Sequence, residues 1–480
     1  MGNSTNSTPP RFFLAGGWAG PSSKQAVRHS NMAFPLMHHT GLVYPPPKPP
    51  WQILKNLAPV PPDRRALLGH LLLGQLSATM GAFLSGLNKA NAWESSKAQD
   101  SLQAFLDGMV AREKFPGLSL AVGQQGKLVH AVVSGMADTA TQKPVTTSTL
   151  FRIASLSKPL TALVIAKLFE REKIAASTPI HSYLGLPPAK DPRWNKITIE
   201  HCLQHSGGWD RAQSFDPMFH SATICQKAGI PYPAMPWDII RHMLEQPLDF
   251  VPGSRYAYSN FGYCLLGRVI EKATGMPYEE STRKEILAPL GITSMRLGKT
   301  LRANSLPQEA TYHDAKARRS PSRMAKGPDV EEPYGAWCLE AMDAHGGWVA
   351  SATDLLRWAM VLNPNSKPVL LKAESMSKVV AKPSFPATDN AIWYGWGWQV
   401  REVKKGSYNL WHTGSLPGTG SILVRRHDGL SWAILTNTNA NPAGKSFATI
   451  IDGPMHKAVD QARPLAQNDL FQSYGYKMAH

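Results

Sequence analysis

The sequence predicts an α+β fold, an α/β sandwich in which helices flank one antiparallel sheet built from both chain ends, with a mainly helical subdomain inserted at about 175–345. Two observations carry this prediction. Residues 118–133 and 421–436 have the apolar runs and turn punctuation of hairpins. The long stretch between them reads as helices and loops, so strands at both ends must pair with each other. With 480 residues, 43% hydrophobic and 18% charged, the chain can bury a sizeable core.

Residues 1–62 are Pro-rich and acid-free, and the run Pro45-Pro-Pro-Lys-Pro-Pro50 favours an extended chain. A disordered extension, or one created by a start assigned too far upstream, is expected there. Asn6 stands where a myristoylation signal needs Ser or Thr. From Asp63-Arg-Arg65 the text changes. A moderately apolar run, Ala66 to Leu87, leads to Ala90-Asn-Ala92, which is the order of charged, apolar and small residues in an export signal. The paired arginines fit a twin-arginine signal. Residues 63–92 are therefore expected to direct export to a periplasmic or extracellular location, with organelle targeting as the alternative. A folded domain is expected over 93–470, followed by a tail at 471–480, with no stable membrane span in the mature protein.

The formal charge of +17 is spread along the chain without zinc-finger spacing or an aromatic-basic ribonucleoprotein motif, which argues against nucleic acid as a partner. Four cysteines lack metal-ligand spacing and no His-Glu-x-x-His occurs, so neither a metal nor a cofactor is expected. The sequence leaves oligomeric state open.

In order, the spacing of Leu102, Phe105, Leu106, Met109 and Val110 predicts a helix ending before Pro116. Leu118–Val122 and Leu128–Val133 flank Gly123-Gln-Gln-Gly126 as a hairpin. A mostly buried helix follows through Leu160–Leu168, with Pro159 in its first turn, so it starts at or just before Ser155. Phe261–Thr274 with Gly275 predicts another helix, and 300–333 a long surface excursion. Thr353–Leu362 is helical, Asp428-Gly429 joins the second hairpin, and Phe447–Arg463 closes the domain as a helix.

The nucleophile helix opens on Ser155-x-x-Lys158. Residues three apart share a helical face, so the lysine comes within reach of the serine oxygen. A capping serine with a surface lysine has the same spacing, and order and company separate the two. Tyr258-Ser259-Asn260 and His412-Thr413-Gly414 follow in that order. With Pro116-Gly-Leu-Ser-Leu-Ala-Val122, Cys202-Leu-Gln-His-Ser-Gly-Gly208, Pro252-Gly-Ser-Arg-Tyr256, Gly346-Gly-Trp-Val-Ala-Ser351 and Tyr394-Gly-Trp-Gly-Trp398, they resemble the serine β-lactamase and penicillin-binding protein superfamily, in its class C, D,D-peptidase and esterase branch. The resemblance spans about residues 98–470.

It implies a β-lactamase/transpeptidase-like fold and acyl transfer on an ester or amide, small-molecule or peptide, through Ser155 as nucleophile. Lys158 and Tyr258 are the implied catalytic partners, with Tyr258 as base for acylation and acid toward the leaving group; which of the two holds the mobile proton stays open. Asn260, His412, Thr413, Gly414 and Ser415 are the implied substrate-binding residues. The backbone N–H groups of Ser155 and Ser415 would form the oxyanion hole. His412 departs from the lysine of the β-lactamases. At a cleft edge its ring would titrate near pH 6.5 and face a substrate carboxylate only in its charged form; the alternative is a structural hydrogen-bond donor. This favours carboxylesterase or D-amino-acid amidase or peptidase activity, ahead of D,D-carboxypeptidase and then β-lactamase. A non-enzymatic penicillin-binding or assembly-forming member is the rival of another class.

Overall fold

The computed structural model describes residues 96–362, 369–386, 391–466 and 468–477. The expected extension (1–62) and signal-like segment (63–92) lie outside them.

Residues 96–113 form helix α1. Strands β1 (Gly117–Gln124) and β2 (Lys127–Asp138) make the first hairpin, with β3 (Lys143–Pro144) at its far edge. Strands β9 (Ile392–Tyr394), β10 (Gln399–Lys404), β11 (Ser407–Leu416), β12 (Thr419–Arg425) and β13 (Leu430–Thr436) complete an eight-stranded sheet, ordered β3-β2-β1-β13-β12-β11-β10-β9. The two chain ends meet where β1 pairs antiparallel with β13, Leu118 opposite Thr436. Residues of β1, β12 and β13 are buried on both faces, which is why these strands read as continuous apolar runs.

One face is covered by α1 and by α12 (Phe447–Gln461), whose Leu102, Leu106, Ile451 and Met455 are fully buried with Trp432. The other packs on α10 (Ala352–Ala359) and the helical layer. Ser351 caps α10, its hydroxyl accepting from the Asp354 N–H, a bond of about 1 kcal/mol. The helical layer comprises α2 (Ser157–Glu170), α3 (Ile180–Leu184), α4 (Ile199–Leu203), α5 (Ser221–Ala228), α6 (Pro236–Leu244), α7 (Asn260–Thr274), α8 (Tyr278–Thr282) and α9 (Asp343–Gly346), with α11 (Ala373–Val379) following α10. A small sheet of β4 (Phe151–Arg152), β8 (Trp348–Ala350) and β5 (Arg296–Leu297) leads into the nucleophile turn, and β6 (Arg319–Pro321) pairs with β7 (Asp329–Glu331).

Two expectations need revision and a third gains detail. The helix does not include Ser155: a 3₁₀ turn, Ala154–Leu156, carries it, and α2 starts at Ser157. Tertiary bonds bend the chain there, because the Ile153 carbonyl accepts from the Ser421 hydroxyl at 2.8 Å and Ala154 takes a left-handed φ of 47°. The 300–333 excursion runs over the surface as expected and is tied down at a few points. The buried Arg152 guanidinium donates to the carbonyls of Lys299, Thr300 and Pro333 and lies 3.7 Å from Glu309. Finally, 471–477 is not a free tail, since Phe471 is fully buried and the Tyr476 hydroxyl donates to Asp354 at 2.7 Å.

Candidate active site

Four chain segments converge on Ser155. The 3₁₀ turn presents its hydroxyl and α2 brings Lys158, whose Nζ donates to Ser155 Oγ at 3.1 Å. The turn before α7 brings Tyr258, whose hydroxyl donates to the same oxygen at 2.9 Å. Asn260, the first residue of α7, accepts from Lys158 Nζ at 2.7 Å, and the His345 carbonyl on α9 accepts from it at 3.0 Å. Strand β11 forms the fourth wall. There a Cβ added to Gly414 would overlap the Ile153 carbonyl and the Ser421 hydroxyl and lie 3.2 Å from the Ser155 nitrogen, so only glycine lets the strand run this close to the turn. Ser415, next along, is exposed.

Burial sets the electrostatics. Lys158 is fully buried, and loss of hydration drives its ammonium well below the usual lysine range; the Asp216 carboxylate opposes this and the Arg211 guanidinium adds to it. The Tyr258 phenol is pushed up to about 12, chiefly by burial, against a downward pull from the Ser155 hydroxyl and Arg211. The amine therefore gives up its proton more readily than the phenol.

His412 takes the place of a structural donor rather than of a cleft-edge cation. It is 2% exposed, beneath the cleft rather than at its edge. The Thr413 carbonyl only accepts, so Nδ1 carries the hydrogen at 2.8 Å, and in the neutral ring Nε2 then accepts from the Tyr394 hydroxyl at 3.0 Å. Burial, with the Lys158 charge, favours that neutral ring and pushes its pKa down to about 3. Burial and this lowered pKa both run against a ring that titrates near pH 6.5 at the cleft edge. Thr413 is half-buried beside it. The aromatic-glycine run is explained too: Tyr394 orders His412, while Gly397, at a φ of 78°, lies where a Cβ would press on Pro159 and Ala162 of α2.

Sequence reasoning missed three side chains on the loop after α4. His205, at a left-handed φ of 57°, accepts the Ala257 N–H on its carbonyl and the Ser259 N–H on Nδ1, bracketing Tyr258, and its ring packs 4.3 Å from the tyrosine's. Asp216 accepts from Asn260 Nδ2 at 2.6 Å. The part-exposed Arg211 lies 4.8 Å over the Tyr258 ring. The Cys202–Gly208 motif pointed at this loop, but no spacing tied Asp216 or Arg211 to it.

Among the described residues no cluster of three ligating side chains could hold a metal, and no helix is long and apolar enough to cross a membrane.

The buried neutral histidines have a measurable consequence. His412, His205, His345 and His130 all have pKa values lowered by burial, so the folded state binds fewer protons than the unfolded one between those values and about 6.5. Stability is then complete above pH 6.5 and is lost as pH falls, at up to about 1.4 kcal/mol per pH unit for each ring inside its window. Calorimetry should show Tm falling between pH 6.5 and 5; a constant Tm over that interval would mean these rings are hydrated or paired with acids.

A hydroxyl held between an amine and a phenol, beside an antiparallel sheet faced by helices, defines a serine hydrolase. A family model described as Beta-lactamase matches residues 102–451, and the chain belongs to that family. It is 27% identical over 366 residues to esterase EstB of Burkholderia gladioli, covering 70% of this chain and 90% of that protein. It is likewise 27% identical over 361 residues to a probable fimbrial assembly protein, FimD serogroup H1, of Dichelobacter nodosus, covering 74% and 83%. Among solved structures, D-amino acid amidase from Ochrobactrum anthropi SV3 superposes with a TM-score of 0.59 at 24% identity, covering 76% of this chain and 98% of that one.

Proposed function

We propose that the protein hydrolyses carboxylic esters or D-amino-acid amides through an acyl-enzyme on Ser155. The observation that carries the reading is the buried His412, a histidine where a lysine would put a permanent cation on the β11 wall, with a pKa lowered by that burial. Lys158 acts as the proton acceptor. In its neutral form its two N–H groups serve Asn260 Oδ1 and the His345 carbonyl, which leaves the lone pair for the Ser155 proton. The Ser155 oxygen attacks the acyl carbon, the proton passes to Nζ, and Tyr258 donates its proton to the departing alkoxide or amine. The Ser155 and Ser415 N–H groups stabilise the oxyanion. Water then reverses the sequence and releases the acid.

Arg211 favours a second reading, D,D-carboxypeptidase activity. Its part-exposed guanidinium stands on the Tyr258 side of the cleft, where it would meet a terminal carboxylate of the leaving group. A purely assembling role like that named for the fimbrial relative is disfavoured by the intact hydrogen-bonded Ser155, Lys158 and Tyr258.

A substrate panel tests the order. Short-chain p-nitrophenyl esters and D-phenylalanine amide should turn over with kcat/KM at least ~10-fold above an anionic cephalosporin. Preference for an acyl-D-Ala-D-Ala peptide would establish the second reading, and no turnover with no fluorophosphonate labelling would establish a scaffold.

A further inference from the structure

We infer that Asp216 is a positioning residue that fixes the Asn260 amide and thereby aims the Lys158 lone pair at Ser155; this rests on the acyl-enzyme reading above. An asparagine amide has a donor end and an acceptor end, and either could face the lysine. A carboxylate only accepts. Asp216 Oδ2 lies 2.6 Å from Asn260 Nδ2, so the NH₂ end must face Asp216 and the carbonyl end, Oδ1, must face Lys158 at 2.7 Å.

The consequence falls on the amine. With acceptors at Asn260 Oδ1 and at the His345 carbonyl, a neutral Lys158 spends both N–H groups, and Ser155 is the remaining neighbour for its lone pair. Were the amide turned, its NH₂ would compete for that lone pair and draw it away from the nucleophile. Asp216 is itself held. Its Oδ1 accepts the Met218 N–H at 3.2 Å, capping the 3₁₀ turn Pro217–Phe219, and Arg211 lies 3.9 Å from Oδ2. It is therefore anchored to its own loop and does not depend on α7 for its place.

Asp216→Asn is the informative change because it keeps shape and cap. The Met218 N–H claims the new carbonyl, so the new NH₂ faces Asn260 and forces that amide to turn. The expected result is a kcat and a fluorophosphonate labelling rate at Ser155 lowered ~10- to 100-fold, with KM within about twofold and Tm little changed. In an Asn260→Ala background the same change should cost less than twofold, since the amide it acts through is gone. Asp216→Ala, which leaves Asn260 free to adopt either orientation, should fall between wild type and Asp216→Asn. Equal labelling of wild type and Asp216→Asn, an effect confined to KM, or an undiminished loss in the Asn260→Ala background would each overturn the role of Asp216. Wild type that fails to label at Ser155 would instead overturn the acyl-enzyme reading, and the positioning role with it.

Discussion

Replacing Ser155 by alanine is expected to abolish turnover, by at least ~10⁴-fold, while leaving the fold intact. The hydroxyl is the reacting atom, and no neighbouring nucleophile replaces it: Ser157 Oγ points back to the Ala154 carbonyl at 2.7 Å. The structural cost is small because Lys158 keeps its bonds to Asn260 and His345, and one partly exposed hydroxyl contributes only about 1 kcal/mol. Intact-mass measurement after incubation with a slow ester should show one acyl adduct on wild type and none on the variant. Residual turnover within tenfold of wild type would place the nucleophile elsewhere.

The second large effect concerns the proton. Lys158→Met should slow acylation by ~10³-fold or more, and Tyr258→Phe by less, roughly 10²-fold, because the amine is the easier group to deprotonate and the phenol acts on the leaving group. The acid limb of kcat/KM should follow Lys158, rising with pH as the amine becomes neutral at a value below the ordinary lysine range. In Tyr258→Phe that limb should persist. Stopped-flow acylation across pH separates the roles. A greater loss in Tyr258→Phe, with disappearance of the limb, would make the phenol the base, the role that family resemblance suggests.

Much of this site was legible because its central pair is local. Ser155 and Lys158 lie three residues apart, and Gly275 and Asp428-Gly429 punctuate helix and hairpin through backbone chemistry that any chain obeys. What depended on distant parts of the chain was misjudged or missed. Ser421 and Gly414 decide that Ser155 sits in a 3₁₀ turn, and nothing within residues 151–160 reports them. His412 looks like a cleft-edge residue in its own strand, and its burial and its contact with Tyr394, eighteen residues earlier, come from distant parts of the chain. Asp216 and Arg211 lie on a loop without periodicity, so their partners appear only once that loop folds over Tyr258.

The pairing of β1 with β13 means that the surroundings of the nucleophile are completed late in chain order. Ser155, Lys158, Tyr258 and Asn260 have all been made once residue 260 has left the peptidyl-transferase centre. The wall that bends the Ser155 turn, Gly414 to Ser421, comes about 160 residues later, and the strand that closes the sheet on β1 ends at Thr436. At about 5–20 residues per second, a nascent chain spends roughly ten to thirty seconds carrying the catalytic side chains without their oxyanion wall. The Ser155 turn therefore meets the β11–β12 wall that bends it only after Ser421 has been made.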